Sequence, residues 1–193
     1  MGYAVETIFT NGRKVSEVFG SKNYDLIDII PDYSEYDFML EDYFDLSKGK
    51  LSSKRIMQNI IEGETENLYT DLILDKQLEK FAISTLGAVY GYLQRDVCLH
   101  YGKIVNRNND NWPMFTQYLS DFENRSRSYW KTPRSRDFPH LFFILIRELE
   151  DYKKLYFDTL AKKYPNNIEL KKDMHYVFDK AKELNLNIFF FNS

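Results

Sequence analysis

Hydrophobic residues at the two ends of the chain follow patterns typical of β-strands. Residues 3–9 and 187–191 are rich in Tyr, Val, Thr, Ile and Phe, which favour strands. An apolar strand left unpaired is prone to aggregate, so we expect the two terminal strands to pair in a small sheet, covered by helices on one side. With helices predicted between them, the chain reads as a mainly helical α+β fold, with residues 1–193 forming a single domain.

Four short segments before residue 64 carry apolar residues at helical spacing. In chain order these residues are Val15, Val18 and Phe19; Leu26, Ile27 and Ile30; Phe38, Met39 and Phe44; and Ile56, Ile60 and Ile61. Ser21, Ser34 and either Ser52 or Ser53 are candidate N-caps of the last three segments. Gly63 stands just past the end of the fourth, as C-terminal glycines commonly do.

The longest predicted helix spans residues 75–101. Apolar residues recur in it every three or four positions, at Leu78, Ala82, Leu86, Val89, Leu93 and Val97. It also contains Gly87, Ala88 and Gly91, and Gly102 supplies a stop. Because each Gly costs a helix about 1 kcal/mol relative to Ala, these small residues indicate that another element packs closely here. We predict this to be the central helix.

Three further helices are predicted in the second half of the chain. The first spans residues 112–122, and a polar, basic loop follows at 124–137. The other two carry apolar residues at Leu149, Tyr152, Tyr156 and Leu160, and at Leu170, Met174, Val177, Ala181 and Leu184. The apolar run 141–146 fits either a buried strand or the start of a helix, because periodicity does not separate the two in so short a run.

Composition limits the compartment and the class of partner. A single cysteine among 193 residues excludes an intrachain disulfide and is typical of a reducing compartment. The N-terminus lacks the features of a secretory signal, and no stretch approaches the roughly 18 apolar residues of a membrane span. We therefore predict a cytoplasmic protein without a membrane partner. A net charge of −3 and a pI near 5.7 argue against nucleic acid as the general partner, for which pI values above about 9 are typical.

Several short motifs in order along most of the chain carry a family resemblance. They are Tyr3-Ala4-Val5, Phe19-Gly20-Ser21, Tyr90-Gly91-Tyr92 with Cys98 and Gly102, Asp137-Phe138-Pro139, and Ala181 ahead of the aromatic run 188–191. Together they resemble a family of small bacterial proteins of unknown function. Leu93-Gln94-Arg95 departs from the more apolar and acidic segment of that family. The resemblance implies a bacterial, cytoplasmic α+β protein, and it transfers no catalytic residue.

Two arrangements on the long helix suggest chemistry. Cys98 and His100 could form a nucleophile and its base, but residues two apart on a helix point about 200° from each other. Cys98 is therefore interpreted as a small buried hydrophobe. Tyr92, Asp96 and His100 are four residues apart and share one face, so Asp96 could orient His100 beside a pocket. The alternative is an exposed helix face with an ordinary Asp–His contact.

The motifs of metal and cofactor sites are absent from the sequence. His100, His140 and His175 are the only histidines and lie far apart. The sequence contains no CxxC, HExxH or EF-hand loop, and no GxGxxG or P-loop. We predict no cofactor and no metal.

Charge is unevenly distributed along the chain. Residues 23–47 hold eight acids and no Lys or Arg: Asp25, Asp28, Asp32, Glu35, Asp37, Glu41, Asp42 and Asp45. Residues 124–136 hold five cations and no acid, with two aromatic residues among them: Arg125, Arg127, Tyr129, Trp130, Lys131, Arg134 and Arg136. Arginines interleaved with aromatic residues bind phosphates and bases, or anchor protein partners. An ordinary solvated loop would have the same composition.

These observations favour a non-enzymatic binding or interaction protein with a protein partner, such as an immunity-type or accessory protein that blocks another protein. Two alternatives remain open. One is an enzyme with a pocket beside the helix that carries Tyr92, Asp96 and His100. The other is a phosphate or nucleic-acid binder acting through the arginine loop at 124–136. The sequence leaves the oligomeric state open.

Overall fold

The computed structural model describes residues 5–105, 128–136 and 139–192. Within these ranges the strands are β1 Val5–Thr10, β2 Gly102–Ile104, β3 His140–Ile144 and β4 Asn187–Asn192. The α-helices are α1 Gly12–Glu17, α2 Ser34–Glu41, α3 Ser53–Glu62, α4 Glu79–His100, α5 Leu149–Tyr156 and α6 Ile168–Leu184. Short 3₁₀ turns lie at Tyr24–Ile29, Leu46–Lys48, Thr70–Leu72, Lys76–Leu78 and Ile146–Glu148, and α5 continues into a π-helical turn at Phe157–Ala161. The helix predicted at 112–122 lies outside the described residues.

The sheet pairs the two ends of the chain, as predicted. Its four strands are antiparallel in the order β2-β1-β4-β3, and Thr10 of β1 lies opposite Asn187 of β4. The ambiguous run at 141–146 belongs to β3 up to Ile144, after which the chain enters a 3₁₀ turn. Helix α4 ends at His100 with Tyr101 as its C-cap, and Gly102, the predicted stop, begins the three-residue strand β2, which was not predicted. The mainly helical α+β class is confirmed.

Helices cover both faces of the sheet, which corrects the expectation of a one-sided cover. Successive side chains of a strand point to opposite faces, and in the run 188–191 every residue is apolar. Phe189 and Phe191 therefore pack with the α4 side of the core, whereas Ile188 and Phe190 pack with α5 and α6. All four side chains are buried. A continuous apolar strand of this kind requires apolar cover on both sides.

Helix α4 is the long central helix predicted from its periodicity, and its glycines mark close contacts. A Cβ on Gly87 would collide with the backbone of Arg134 and Ser135. A Cβ on Gly91 would meet Cγ of Pro139 at 2.8 Å. The end of the arginine loop, at Arg134 and Ser135, and Pro139 beyond it therefore lie against α4 at its small residues, in agreement with the prediction that another element packs there.

Two of the short helices differ from their predictions. The segment of Leu26 and Ile27 is a 3₁₀ helix capped by Asn23 rather than by Ser21, because the Asn23 side chain accepts a hydrogen bond from the Asp25 amide. In α2 the buried residues are Tyr36 and Leu40, not Phe38.

The apolar side of α2 was misassigned because one of its core residues is a tyrosine. The Phe38 side chain is 70% exposed, while Met39 packs partly against the core. Ser34 is the first residue of this helix, and its cap position, Tyr33, makes no side-chain cap bond. In α3, by contrast, Ser52 caps the Arg55 amide at 3.1 Å and Gly63 ends the helix in the left-handed conformation, as predicted.

Candidate functional site

An arginine between two carboxylates forms the most connected polar cluster near the predicted Tyr92 site. Arg95 lies on α4 and reaches Glu6 on β1. Its Nη2 donates to Glu6 Oε1 at 2.7 Å and its Nε donates to Glu6 Oε2. Its Nη1 donates to Asp96 Oδ1 at 3.0 Å. The guanidinium therefore joins the central helix to strand β1 through two charge-assisted hydrogen bonds, and a third links it to Asp96 on the same helix.

Helix α2 completes this cluster through a tyrosine. The Tyr36 hydroxyl donates to Asp96 Oδ2 at 2.5 Å, so both oxygens of Asp96 are occupied. Burial raises the pKa of Asp96 above its ordinary value, although the bonds from Tyr36 and Arg95 oppose the rise. Burial, together with the bond to Asp96, also raises the pKa of Tyr36. A carboxyl group with a raised pKa beside a cavity is a common feature of functional sites and also of structural ion networks.

A pocket of about 410 Å³ lies over this cluster. Tyr36 and Tyr92 stack with their ring centroids 5.7 Å apart, and Tyr92 meets Phe191 edge-on at 5.1 Å. Glu35 of α2 also lines this pocket. Of the three predicted pocket residues, Tyr92 lines this pocket. Asp96 is not a lining residue, but it accepts a hydrogen bond from Tyr36, which is one.

His100 does not join the pocket. It is exposed at the end of α4 and packs edge-on against Tyr101, with ring centroids 4.6 Å apart. Among the described residues, Asp96 bonds to Tyr36 and Arg95, and the predicted contact with His100 is not formed. Helical spacing does put both residues on one face, but the arginine and the tyrosine are the donors that occupy the carboxylate.

The two aromatic residues of the arginine loop pack against the core, Trp130 as a buried and Tyr129 as a half-buried side chain. Trp130 is only 4% exposed, and its Nε1 donates to the Val15 carbonyl at 2.8 Å. Tyr129 stacks on Phe143 at 4.1 Å with an interplanar angle of 9°. The burial of Trp130 corrects the expectation that it is a surface anchor for a partner or for bases, whereas the half-buried Tyr129 stays a candidate.

The described arginines of the loop, unlike Trp130, are exposed. Arg134 and Arg136 have exposed side chains, while Arg125 and Arg127 lie outside the described residues. The backbone beneath them is fixed to α4, since the Arg136 amide donates to Ser84 Oγ at 2.9 Å. The described part of this loop, residues 128–136, is therefore a segment whose backbone is bonded to α4 and whose arginines are exposed.

Most acids of the stretch 23–47 are exposed. We define the acidic surface as six exposed carboxylates and one exposed ring: Asp25, Asp28, Asp32, Glu35, Glu41, Asp42 and Phe38. Within the described part of the chain, none of the six carboxylates forms an ion pair. The other two acids of the stretch do have partners. Asp37 Oδ1 accepts a hydrogen bond from the Ser53 amide at 2.6 Å, and Asp45 forms an ion pair with Lys48 at 3.2 Å.

Local geometry brings these acids together. Asp25 and Asp28 are three residues apart in a 3₁₀ helix, where such side chains stand one above the other. The Tyr33 hydroxyl donates to the Ile27 carbonyl at 2.7 Å and ties this turn to the start of α2. On α2, Glu35 precedes Phe38 by three residues. The acidic surface therefore continues from the turn onto the helix.

Cys98 is fully buried, as predicted. Burial raises the pKa of its thiol well above the ordinary value, which disfavours the reactive thiolate. Thr10 Oγ1 donates to the Cys98 carbonyl at 2.9 Å and so joins α4 to β1. The surroundings of Cys98 are those of a core residue.

The residues that sequence reasoning missed are Glu6, Tyr36 and Arg95. One signal for them was present: Gln94 and Arg95 interrupt the apolar pattern of a helix whose neighbouring positions are buried. Gln94 is itself buried, and its Oε1 accepts from Ser128 Oγ at 2.6 Å. The partners on β1 and α2 are distant in sequence, so spacing alone could not identify them.

Comparisons with protein-family models, with curated proteins and with solved structures found no match for this chain. The resemblance to a bacterial family therefore stays a prediction. Among the described residues, no three His, Cys, Asp or Glu side chains group as metal ligands. Nor does any helix in the described ranges have the length and apolar character needed to cross a membrane.

Proposed function

We propose that this is a non-enzymatic binding protein that uses the acidic surface to hold a basic surface of another protein. An immunity-type or accessory protein would act in this way. The observation that carries the proposal is Phe38, a large ring 70% exposed among carboxylates that have no ion-pair partner in the described structure. Aromatic residues are typical anchors of protein interfaces, where they fill pockets on the partner.

The arrangement around Phe38 defines the chemistry of the partner. Residues three and four apart on a helix are neighbours, so Glu35, Glu41 and Asp42 surround the ring. Like charges held close together repel each other, and a cationic partner would relieve that repulsion. The complementary surface is therefore an apolar pocket bordered by Lys or Arg side chains. Such complementarity chiefly raises the association rate and the specificity.

The pocket over Arg95 supports a second candidate, an enzyme acting through Asp96, because the pKa of this carboxyl is raised beside a cavity. A general acid or base must reach its substrate. Both Asp96 oxygens, however, already accept bonds from Tyr36 and Arg95, and the Arg95 guanidinium is held by Glu6 and Asp96. These satisfied bonds support a structural role for the cluster and leave the acidic surface as the better candidate.

A capture experiment with matched variants tests the proposal. The tagged protein is exposed to a lysate of its own source, and the retained proteins are identified by mass spectrometry. Phe38→Ser and the triple change Glu35→Gln, Glu41→Gln, Asp42→Asn should each lose a basic protein that the wild type retains. Retention should also fall with added salt, since exposed charges are screened over about 8 Å at physiological ionic strength.

Helix α6 offers controls that also remove one exposed apolar side chain or three exposed acids. Ile168→Ser removes an exposed apolar side chain, and Glu169→Gln, Asp179→Asn, Glu183→Gln removes three exposed acids. These variants should retain the partner. If they lose it to the same extent, or if the acidic-surface variants keep it, the acidic surface is not the binding site.

A further inference from the structure

The concave regions of the described structure differ in charge. A cleft of about 670 Å³ near α3 is lined by three cations, Lys50, Arg55 and Lys131, and also by three acids. Its lining therefore favours neither an anionic nor a cationic ligand. In the pocket over Arg95 the cation is already paired with carboxylates. A third region is a groove of about 760 Å³ in which two arginines and no Asp or Glu stand among the described lining residues.

This third region, the Arg13–Arg147 groove, lies at one end of the sheet. Strands β1 and β3 end there and β4 begins, with Thr10 opposite Asn187. Arg13 comes from α1, which follows β1, and Arg147 comes from the 3₁₀ turn after β3. The two cations therefore approach the groove from separate elements.

The arginines retain donors for a ligand. Arg13 uses its Nε in an exposed pair with Glu17 at 2.7 Å, and its two Nη groups bond to no described residue. Arg147 is exposed and forms no ion pair within the described ranges. On a chain of net charge −3, a groove whose charged lining residues are both arginines has the opposite sign to the chain as a whole.

One wall of the groove is rigid. Asn187 is buried, its Oδ1 accepts from the Ile146 amide at 3.1 Å, and its Nδ2 donates to the Tyr129 hydroxyl at 3.2 Å. Gly12 makes this approach possible, because a Cβ there would meet the Tyr129 hydroxyl at 2.8 Å. The wall is therefore formed before any ligand arrives, which reduces the entropy cost of binding.

We propose that the Arg13–Arg147 groove binds a phosphate-bearing small molecule of nucleotide or sugar-phosphate size. The planar arginine fork matches phosphate oxygens in pairs of hydrogen bonds. The volume lies within the range of about 300–1,000 Å³ that is typical of small-molecule sites. Asn11, Ser16 and Asn185 line the same groove and offer polar partners for sugar hydroxyls. This site is independent of the acidic surface, and either can fail without the other.

Calorimetric titration of the full chain at low salt tests this site. The probes are AMP, ribose 5-phosphate and inorganic phosphate, with adenosine and ribose as the counterparts without phosphate. At least one of the two phosphate esters should bind, whereas adenosine and ribose should not. Arg13→Gln and Arg147→Gln should each weaken that binding by about tenfold or more, the loss expected for removing hydrogen bonds to a charged group. Comparing AMP with ribose 5-phosphate shows which ester fits better, and either result supports the site.

Arg55→Gln is the matched control, because it removes an arginine from the cleft of mixed charge. It should leave the affinity unchanged, and all three variants should melt at the wild-type temperature. Three results would overturn the proposal: neither ester binds, Arg55→Gln weakens binding as much as the groove variants do, or the groove variants bind like the wild type.

Discussion

Replacing Arg95 by methionine tests the assignment of its cluster as structural. The substitution keeps a long apolar stem but removes three hydrogen bonds to Glu6 and Asp96. The side chains are only partly accessible: 25% for Arg95, 20% for Glu6 and 12% for Asp96. Removing one partner of a buried ion pair costs about 3–5 kcal/mol, and partial access of water lowers this to roughly 2–4 kcal/mol. For a chain of this size, the melting temperature should then fall by about 5–15 °C.

The stability deficit should depend on pH. Burial raises the folded-state pKa of Asp96, and Arg95 opposes that rise, so the substitution should raise the pKa further. A folded carboxyl with a raised pKa binds its proton more tightly than the unfolded one, so stability is lost as pH rises through that pKa. The gap in melting temperature between Arg95→Met and the wild type should therefore narrow as pH falls from about 7 towards about 5.

Thermal unfolding followed by circular dichroism over this pH range measures both effects. Lys182→Met is the control, because it removes a cation from an exposed pair with Glu150. It should melt like the wild type at every pH. If Arg95→Met melts within about 1 °C of the wild type, or if its deficit does not change with pH, the cluster does not hold α4 to the sheet as described.

Two other predictions concern the interior. Gly87→Ala should lower the melting temperature although Ala favours a helix by about 1 kcal/mol, because its Cβ collides with the backbone of Arg134 and Ser135. Gly91→Ala should lower the melting temperature less, because its Cβ comes close only to the Pro139 ring and makes ordinary contacts with Leu141. The reverse order would contradict the packing on α4. Cys98 should react slowly with a thiol reagent in the native protein and rapidly in denaturant, as followed by mass spectrometry; rapid native labelling at neutral pH would show that the thiol is accessible.

The fold followed from the sequence where one periodicity dominated. The spacing of Leu86, Val89 and Leu93 identified α4, and the apolar ends of the chain identified the paired strands. The prediction was wrong where a core residue carries a polar atom. Tyr36 rather than Phe38 points from α2 into the core, because its hydroxyl donates a hydrogen bond to the Asp96 carboxylate. The cover on both sheet faces was missed although the run 188–191 indicated it, because side chains alternate between the faces of a strand and every residue of this run is apolar.

The candidate sites were harder to predict because their residues meet only through the tertiary fold. Asp96 and His100 share a helix face, but the contacts of Asp96 come from α2 and from its neighbour Arg95. Trp130 stood among arginines in sequence and lies in the core in space. The acidic stretch, in contrast, could be identified from composition alone, since exposed charge needs no partner from elsewhere in the chain.

Hydrogen–deuterium exchange of the protein, alone and saturated with the basic protein that the wild type captures, tests the central claim most directly. The backbone amides of residues 24–42 should exchange more slowly in the complex, whereas those of α6 should be unchanged. Protection confined to residues 128–136 or to α6, with residues 24–42 unaffected, would contradict the claim that the acidic surface is the binding site.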